Sequence, residues 1–141
     1  MSEILFTNTV VTLADTVRIQ TILAHPENLL LWDHEITTVT ATPTGFTLKR
    51  QVPALNTSEQ ITVSATTDHI RYHSRGGRLA YQLDFKLATT DNLTTVTETL
   101  SASANALPVP TSLLIPIAKQ AFAQKLQALV TLAESDQKVT A

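Results

Sequence analysis

Residues 111–135 read TSLLIPIAKQAFAQKLQALVTLAES, and the pattern of this stretch decides the fold. Its apolar side chains recur at steps of three and four residues, at Ile117, Phe122, Leu126, Leu129, Val130 and Ala133. Hydrophilic side chains cover the opposite face, which predicts one long amphipathic helix over about 111–135. Pro116 either starts the regular part of this helix or kinks it.

The region before this helix alternates with a period of two, which is typical of strands. Turn residues divide it into six predicted strands, over 36–42, 45–52, 58–66, 69–75, 78–88 and 93–103. Gly76-Gly77 predicts a two-residue primed turn, because both residues tolerate a positive φ. That turn would pair Ser74 with Leu79, Tyr72 with Tyr81, and Ile70 with Leu83.

The first part of the chain predicts one more strand and two short helices. Residues 3–12 alternate, and Asp15 then offers an N-cap to a helix over about 16–24. His25-Pro26 ends that helix, and Pro26 can begin a second one over 26–31. Only the C-terminal helix is long enough to cover the apolar face of the sheet. We therefore predict an α+β fold with a curved sheet of about seven antiparallel strands around that helix.

Length and composition indicate one domain over residues 1–141. The formal net charge of −2 argues against binding to nucleic acid. With no cysteine, thiolate catalysis and thiolate metal sites are excluded. The first residues lack the pattern of a signal peptide, and the apolar run 113–118 is too short for a bilayer span. We expect a cytoplasmic protein without integral membrane association, metal or cofactor.

Residues 14–33, ADTVRIQTILAHPENLLLWD, resemble the START/SRPBCC superfamily of helix-grip proteins, which includes lipid-transfer domains and polyketide cyclase-like proteins. In that superfamily a helix, a Pro-Glu step and a Trp separate the first two strands, as Pro26-Glu27 and Trp32 do here. The position after Asp33 is often proline in such proteins, and here it is His34. The Trp-Gly-Pro step of the chaperone-activator branch is absent. The resemblance implies an elongated cavity between the sheet and the long helix, for an apolar or amphipathic ligand.

Three classes of function are compatible with this resemblance, because fold alone does not decide function. The leading hypothesis is binding or transport of a small hydrophobic or amphipathic ligand. The alternative is a cyclase/dehydratase-like enzyme that acts on a hydrophobic, polyketide-type substrate. A module that binds a protein partner is the third hypothesis, although no motif indicates such a partner.

Strand parity predicts which side chains face the cavity. The apolar and aromatic candidates for ligand binding are Trp32, Phe46, Leu48, Tyr72, Tyr81, Leu83, Phe85 and Phe122. The two tyrosines would be paired, and their hydroxyls need partners if they are buried. The same parity turns His69, Arg71, His73 and Arg75 outward. We interpret that row as a solvated face, because two histidines without a carboxylate on their strand are poor metal ligands.

Arg50 and Glu59 are the charged candidates for ligand binding. Pairing Leu48 with Ile61, and Phe46 with Val63, would place Arg50 opposite Glu59 on the inward face. Arg50 would then hold a carboxylate, enolate or phosphate at the mouth of the cavity. The alternative interpretation is an ion pair at the rim of the sheet.

Glu98 is the remaining candidate. If Val96 and Leu100 face inward, so does Glu98, as a buried carboxyl with a raised pKa and a role in acid–base chemistry. A slip of one residue would turn it outward. Asp33-His34-Glu35 is interpreted as a polar loop, because neighbours in an extended strand alternate faces, so the three side chains cannot converge.

Overall fold

The computed structural model describes residues 2–103 and 110–141 and contains one sheet and three α-helices. The strands are β1 (Glu3–Thr12), β2 (Ile36–Thr42), β3 (Gly45–Arg50), β4 (Ser58–Ala65), β5 (His69–Arg75), β6 (Tyr81–Thr90) and β7 (Leu93–Ala102). The helices are α1 (Thr16–Ala24), α2 (Leu29–Trp32) and α3 (Thr111–Glu134), with a 3-10 turn at Pro26–Asn28. These bounds confirm the predicted order of elements.

The seven strands form one antiparallel sheet in the order β1-β7-β6-β5-β4-β3-β2. The first two strands of the chain therefore lie at opposite edges of the sheet, and α1 and α2 connect them. The side chain of Asp15 accepts a hydrogen bond from the Arg18 amide and caps α1, as predicted. The α+β helix-grip fold is confirmed.

The core lies between the sheet and the helices. Leu126 and Leu129 of α3 are buried in the same cluster as Phe85, Val96 and Ile70 from the strands. From α1, three side chains with no exposed surface join this cluster: Ile19, Ile22 and Leu23. The N-terminal half of α3 packs more loosely, and the ring of its half-buried Phe122 lies 5.3 Å from that of Phe6.

The predicted two-residue turn at Gly76-Gly77 is wrong. Strand β6 begins at Tyr81, so residues 76–80 form a longer loop, with Gly76 at a φ of +83°. The observed pairs are Ser74 with Tyr81, Tyr72 with Leu83, and Ile70 with Phe85. The loop is longer because it encloses the side chain of Asn56, which accepts a hydrogen bond from Leu79 N (2.8 Å) and donates one to Leu79 O (2.7 Å).

The predicted pairing of β3 with β4 is also wrong by two residues. Phe46 lies opposite Ile61, and Leu48 lies opposite Glu59. Arg50 N bonds to Thr57 O at 3.0 Å, so the connection between the strands is tighter than predicted. A shift of two residues preserves the faces of both strands, because side chains alternate with a period of two. Arg50 and Glu59 therefore still point to the same side of the sheet.

The outward row behaves as predicted. Arg71, His73 and Arg75 are exposed, and His69 is half-buried. Asp84 of the neighbouring strand lies 2.8 Å from His69 Nε2 and accepts a hydrogen bond from Arg71 Nε at 2.7 Å. In the ranges 2–103 and 110–141, no group of three or more His, Asp or Glu side chains is placed to hold a metal ion. Among these residues, no helix is long and apolar enough to cross a membrane.

Candidate functional site

A cavity of about 270 Å³ lies between the N-terminal half of α3, strand β1 and the loop after β3. Its walls are mostly apolar, with side chains that include Leu5, Phe6, Leu55, Leu100, Ile115 and Phe122. Polar side chains line it too: Glu35, Arg50, Asn56, Tyr81 and Lys125. Arg50 donates a hydrogen bond to Tyr81, and Lys125 donates one to Glu35, so these side chains form one polar wall rather than scattered sites.

A second, much smaller void of about 20 Å³ lies deeper in the protein. It has room for about one water molecule. Trp32, Leu48, Tyr72, Leu83 and Glu98 line only this inner void. Arg50, Tyr81, Phe122 and Lys125 line both spaces, so these four side chains separate the inner void from the outer cavity.

Arg50 and Glu59 form a buried ion pair. Arg50 Nη2 lies 2.7 Å from Glu59 Oε1, and Arg50 Nε lies 3.1 Å from the same oxygen. Arg50 also donates to Asp33 Oδ2 and to the Tyr81 hydroxyl, both at 3.4 Å. Burial disfavours the charged guanidinium, but the oxygens of Tyr81, Glu59 and Asp33 more than offset this and raise the pKa of Arg50.

Glu59 is enclosed by donors. Besides Arg50, it accepts hydrogen bonds from Asn56 Nδ2 (3.1 Å), Tyr81 OH (3.0 Å) and Ser74 Oγ (2.5 Å). Burial alone would raise the pKa of Glu59, but the charge of Arg50 and these donors hold it below its ordinary value. The pair is neither an unpaired Arg50 at the mouth of the cavity nor an exposed ion pair at the rim of the sheet. It belongs to a buried polar network with its hydrogen bonds made.

Asp33 and Glu35, two residues apart, converge on Lys125 of α3 without His34, so the three side chains do not meet, as predicted. Lys125 Nζ lies 2.9 Å from Glu35 Oε2 and 3.4 Å from Asp33 Oδ2. Residues 34–35 form a turn, in which Asp33 Oδ1 accepts a hydrogen bond from Glu35 N. His34 is exposed. The hydrogen bond from Lys125 lowers the pKa of Glu35.

Glu98 faces the interior, in the register that places Val96 and Leu100 inward as well. It is 1% exposed and accepts a hydrogen bond from Asn8 Nδ2 at 3.3 Å. Burial raises the pKa of Glu98 to about 7, although the Asn8 hydrogen bond and the charge of Lys125 act in the opposite direction. Glu98 is thus a weak acid close to its midpoint at neutral pH.

The two tyrosines have different surroundings, and they are not paired. The Tyr72 hydroxyl donates to the backbone carbonyl of Leu23 at 2.5 Å, so its polar group is used within the fold. The Tyr81 hydroxyl lies in the Arg50–Glu59 network. Among the described residues, Trp32 Nε1 is the buried side-chain polar atom that has no hydrogen-bond partner.

The structure brings most of the predicted site residues to the two spaces. Three do not line either one. Phe85 lies in the core between the rings of Trp32 and Tyr72, Phe46 packs against the edge of the core, and Glu59 lies behind Arg50.

Sequence reasoning missed Asn56, Glu35 and Lys125. In the sequence, Lys125 is one of the hydrophilic side chains of residues 111–135, and Asn56 lies in the connection between two predicted strands. The one signal for Lys125 in the sequence is its position between the apolar residues Phe122 and Leu126. In the structure its ammonium lies 5.1 Å from the centre of the Phe122 ring. For Asn56, no local pattern distinguishes a buried amide from an ordinary turn residue.

No protein-family sequence model matches this chain, and no curated protein matches it by sequence. Solved structures do match. A START superfamily protein from Mycobacterium smegmatis aligns with a TM-score of 0.72 and 18% identity, over 92% of this chain and 96% of that one. The Zhui aromatase/cyclase from Streptomyces sp. R1128 aligns with a TM-score of 0.76 and 14% identity, over 95% and 94%.

A third match is the Aha1 dimer from Colwellia psychrerythraea, with a TM-score of 0.64 and 16% identity, over 98% of this chain and 99% of that one. Proteins with such different descriptions share one architecture, so the likeness establishes fold and not activity. The fold that the resemblance of residues 14–33 implied is confirmed: this chain has the helix-grip fold of these structures, one of which is described as a START superfamily protein.

Proposed function

We propose that this protein binds or carries a small hydrophobic or amphipathic molecule in the cavity between the sheet and α3. The observation that supports the proposal is the division of the cavity into apolar walls and one polar wall. Ligand sites are typically concave and mainly apolar, with a few polar groups that fix orientation. The START superfamily description of one structural neighbour is compatible with this class of function.

The volume limits the size of the ligand. Typical pockets for drug-sized ligands hold roughly 300–1,000 Å³, so a cavity of about 270 Å³ suits a molecule at the small end of that range. A bicyclic aromatic compound with one polar substituent is a reasonable probe. Its rings would contact Phe6, Leu100 and Phe122, and its polar group would meet the polar wall.

Titration of 2-naphthol by its fluorescence tests the proposal, together with native mass spectrometry of the purified protein. Ala118 lines the cavity, so Ala118→Phe fills it and should weaken 2-naphthol about tenfold or more. Gln124 lies on the same helix, is exposed and does not line the cavity, so Gln124→Phe is the matched control. Equal affinities in the two variants would contradict a ligand site in this cavity.

A cyclase/dehydratase-like enzyme that acts on a hydrophobic, polyketide-type substrate is the second candidate, and Glu98 is the observation that favours it. A buried carboxyl with a pKa of about 7 is suited to general acid–base catalysis at neutral pH. An aromatase/cyclase is also among the structural neighbours. In this role Glu98 would exchange a proton with a substrate in the outer cavity through one water molecule in the inner void.

Proton exchange tests the second candidate without knowledge of the natural substrate. A bicyclic ketone such as 1-tetralone, incubated with the protein in D₂O, would exchange the protons next to its carbonyl group if Glu98 acts as a base. Glu98→Gln should return the exchange rate to that of buffer, whereas the exposed Glu27→Gln should not change it. An identical rate with and without the wild-type protein would contradict the enzymatic hypothesis for this class of substrate.

A further inference from the structure

We infer that the cavity discriminates by charge: it takes an uncharged amphipath and disfavours an anion of the same shape, and Glu35 is the residue that sets this preference. The inference rests on the proposed ligand-binding function and specifies the class of ligand. It differs from the expectation from sequence that Arg50 captures a carboxylate. Its basis is the pairing of the two cations that line the cavity, Arg50 and Lys125.

Arg50 is already neutralised inside the protein. Glu59 receives two of its hydrogen bonds, from Nη2 at 2.7 Å and Nε at 3.1 Å, and Asp33 lies 3.4 Å from Nη1. The side chain of Glu59 is fully buried and that of Asp33 nearly so. A ligand carboxylate could form a bidentate contact with Arg50 only by displacing Glu59. That would leave a buried carboxylate without its charge partner, which is strongly unfavourable.

Lys125 is neutralised in the same way, but its partners differ in burial. Asp33 and Glu35 both lie within ion-pair distance of Nζ, at 3.4 Å and 2.9 Å. The side chain of Glu35 is 57% exposed, whereas that of Asp33 is 6% exposed. Glu35 makes its side-chain contact to Lys125 from the solvent side of the cavity wall. It is therefore the carboxylate that can be removed with the least damage to the fold.

The charges of this cluster leave no surplus of positive charge. Arg50 and Lys125 contribute two positive charges, and Asp33, Glu35 and Glu59 contribute three negative charges. An anionic ligand would add a further negative charge beside these carboxylates. A neutral hydroxyl or carbonyl group instead needs one hydrogen bond from the polar wall and breaks no ion pair. Specificity of this kind comes from disfavouring the wrong ligand.

Removal of the Glu35 charge should therefore produce a gain of affinity. In Glu35→Gln the side chain keeps its size, while the charge of the cluster changes from a net negative value to zero. The Lys125 ammonium, released from its closest carboxylate, becomes available to an acid in the cavity. The variant should bind an acidic ligand better, and this gain should exceed any change in its affinity for a neutral ligand of the same shape.

The test compares 2-naphthol with 2-naphthoate at pH 7, where the first is neutral and the second is an anion. Wild-type protein should bind 2-naphthoate about tenfold more weakly than 2-naphthol, a difference of about 1.4 kcal/mol. Glu35→Gln should recover about tenfold in the affinity for 2-naphthoate relative to that for 2-naphthol. Glu27→Gln is the matched control, because Glu27 is exposed and does not line the cavity, so it changes only the charge of the whole molecule.

Three results would overturn the inference. Equal binding of the two probes by wild-type protein would show that the cavity does not discriminate by charge. An unchanged affinity for 2-naphthoate in Glu35→Gln, or the same gain in Glu27→Gln, would show that Glu35 is not responsible. Failure of wild-type protein to bind either probe would overturn the proposed function itself, and the inference with it.

Discussion

Glu98 shows at the scale of one residue how the interior tolerates a carboxyl group. Its neighbours on the strand, Val96 and Leu100, are buried and apolar, and Asn8 supplies a hydrogen bond through its amide. A single amide donor at 3.3 Å compensates a carboxylate far less than the five hydrogen bonds that surround Glu59. Two glutamates on one face of one sheet therefore have pKa values shifted in opposite directions.

The first prediction concerns the pH dependence of stability. Because the pKa of Glu98 is raised from 4.5 to about 7, the folded state holds its proton more tightly than the unfolded state. The Glu98 contribution is therefore fully present below about pH 4.5 and is lost as pH rises to about 7. The loss amounts to about 3 kcal/mol, at about 1.4 kcal/mol per pKa unit.

Urea denaturation of wild type and Glu98→Gln across this pH range isolates that contribution, because the other groups titrate in both proteins. The difference in unfolding free energy should shift by about 3 kcal/mol in favour of the glutamine variant as pH rises. The groups that face Glu98 and act in both proteins are Asp33, Arg50, Tyr72, Tyr81 and Lys125. Parallel stability curves would mean that folding does not raise the pKa of Glu98.

The second prediction concerns Gly77. A Cβ atom at this position would lie 2.5 Å from Asn56 Cγ, so the glycine leaves room for the amide that holds Glu59. Gly77→Ala should destabilise the protein by about 1–3 kcal/mol, through the loss of buried hydrogen bonds. The same substitution in an Asn56→Ala background should cost much less, because the clash is gone. A double-mutant cycle by thermal denaturation measures this coupling, and additive effects would contradict it.

At the scale of the elements, the two halves of α3 pack differently. Its C-terminal half buries Leu126, Leu129 and Val130 in the core, while its N-terminal half presents half-buried side chains such as Ile115 and Phe122 to the cavity. The core and the cavity are thus served by different halves of one helix.

The third prediction follows from that division. Leu129 is fully buried, so Leu129→Ala should reduce the unfolding free energy by about 2–5 kcal/mol. Leu113 on the same helix is 64% exposed, and Leu113→Ala should change stability by about 0.5 kcal/mol or less. Ile115→Ala should fall between them and weaken 2-naphthol. Chemical denaturation with the probe titration checks all three, and a small effect at Leu129 would contradict the proposed core.

The elements also show what the sequence can and cannot predict. The period of two placed Arg50, Glu59 and Glu98 on the inner face, and the three-and-four spacing located α3. The register of two hairpins could not be predicted, because a shift of two residues preserves every face. What decides the β5–β6 register is the buried side chain of Asn56, which comes from a different loop. Contacts between distant loops leave no periodic signal in either segment.

At the scale of the whole molecule, the sheet separates a solvated face from the face that lines the cavity. The outer face carries His69 and Arg71 with their partner Asp84, and the exposed His73. None of these four side chains lines the cavity or the inner void.

The fourth prediction tests this separation. The double substitution His69→Gln and His73→Gln should leave the affinity for 2-naphthol unchanged and alter stability by about 0.5 kcal/mol or less, because Asp84 keeps its hydrogen bond from Arg71. A saturating concentration of 2-naphthol, about 100 times its dissociation constant, should stabilise both proteins by about 2.7 kcal/mol. Thermal denaturation with and without the probe measures both effects. Weaker stabilisation of the double variant would show that the two faces are coupled.

The pairing of β1 with β7 has a consequence for the folding rate. It joins Glu3 to Ala102 and Thr12 to Thr94, so the first strand of the sheet can pair only after the last strand has formed. Contacts between residues so far apart in sequence give a high contact order, which places folding in the range of roughly milliseconds to seconds. During synthesis, β2 to β6 can form hairpins as they emerge, but the sheet is completed only after β7 has left the ribosome. Until then β1 remains an unpaired strand, which is the state in which it is most exposed to aggregation.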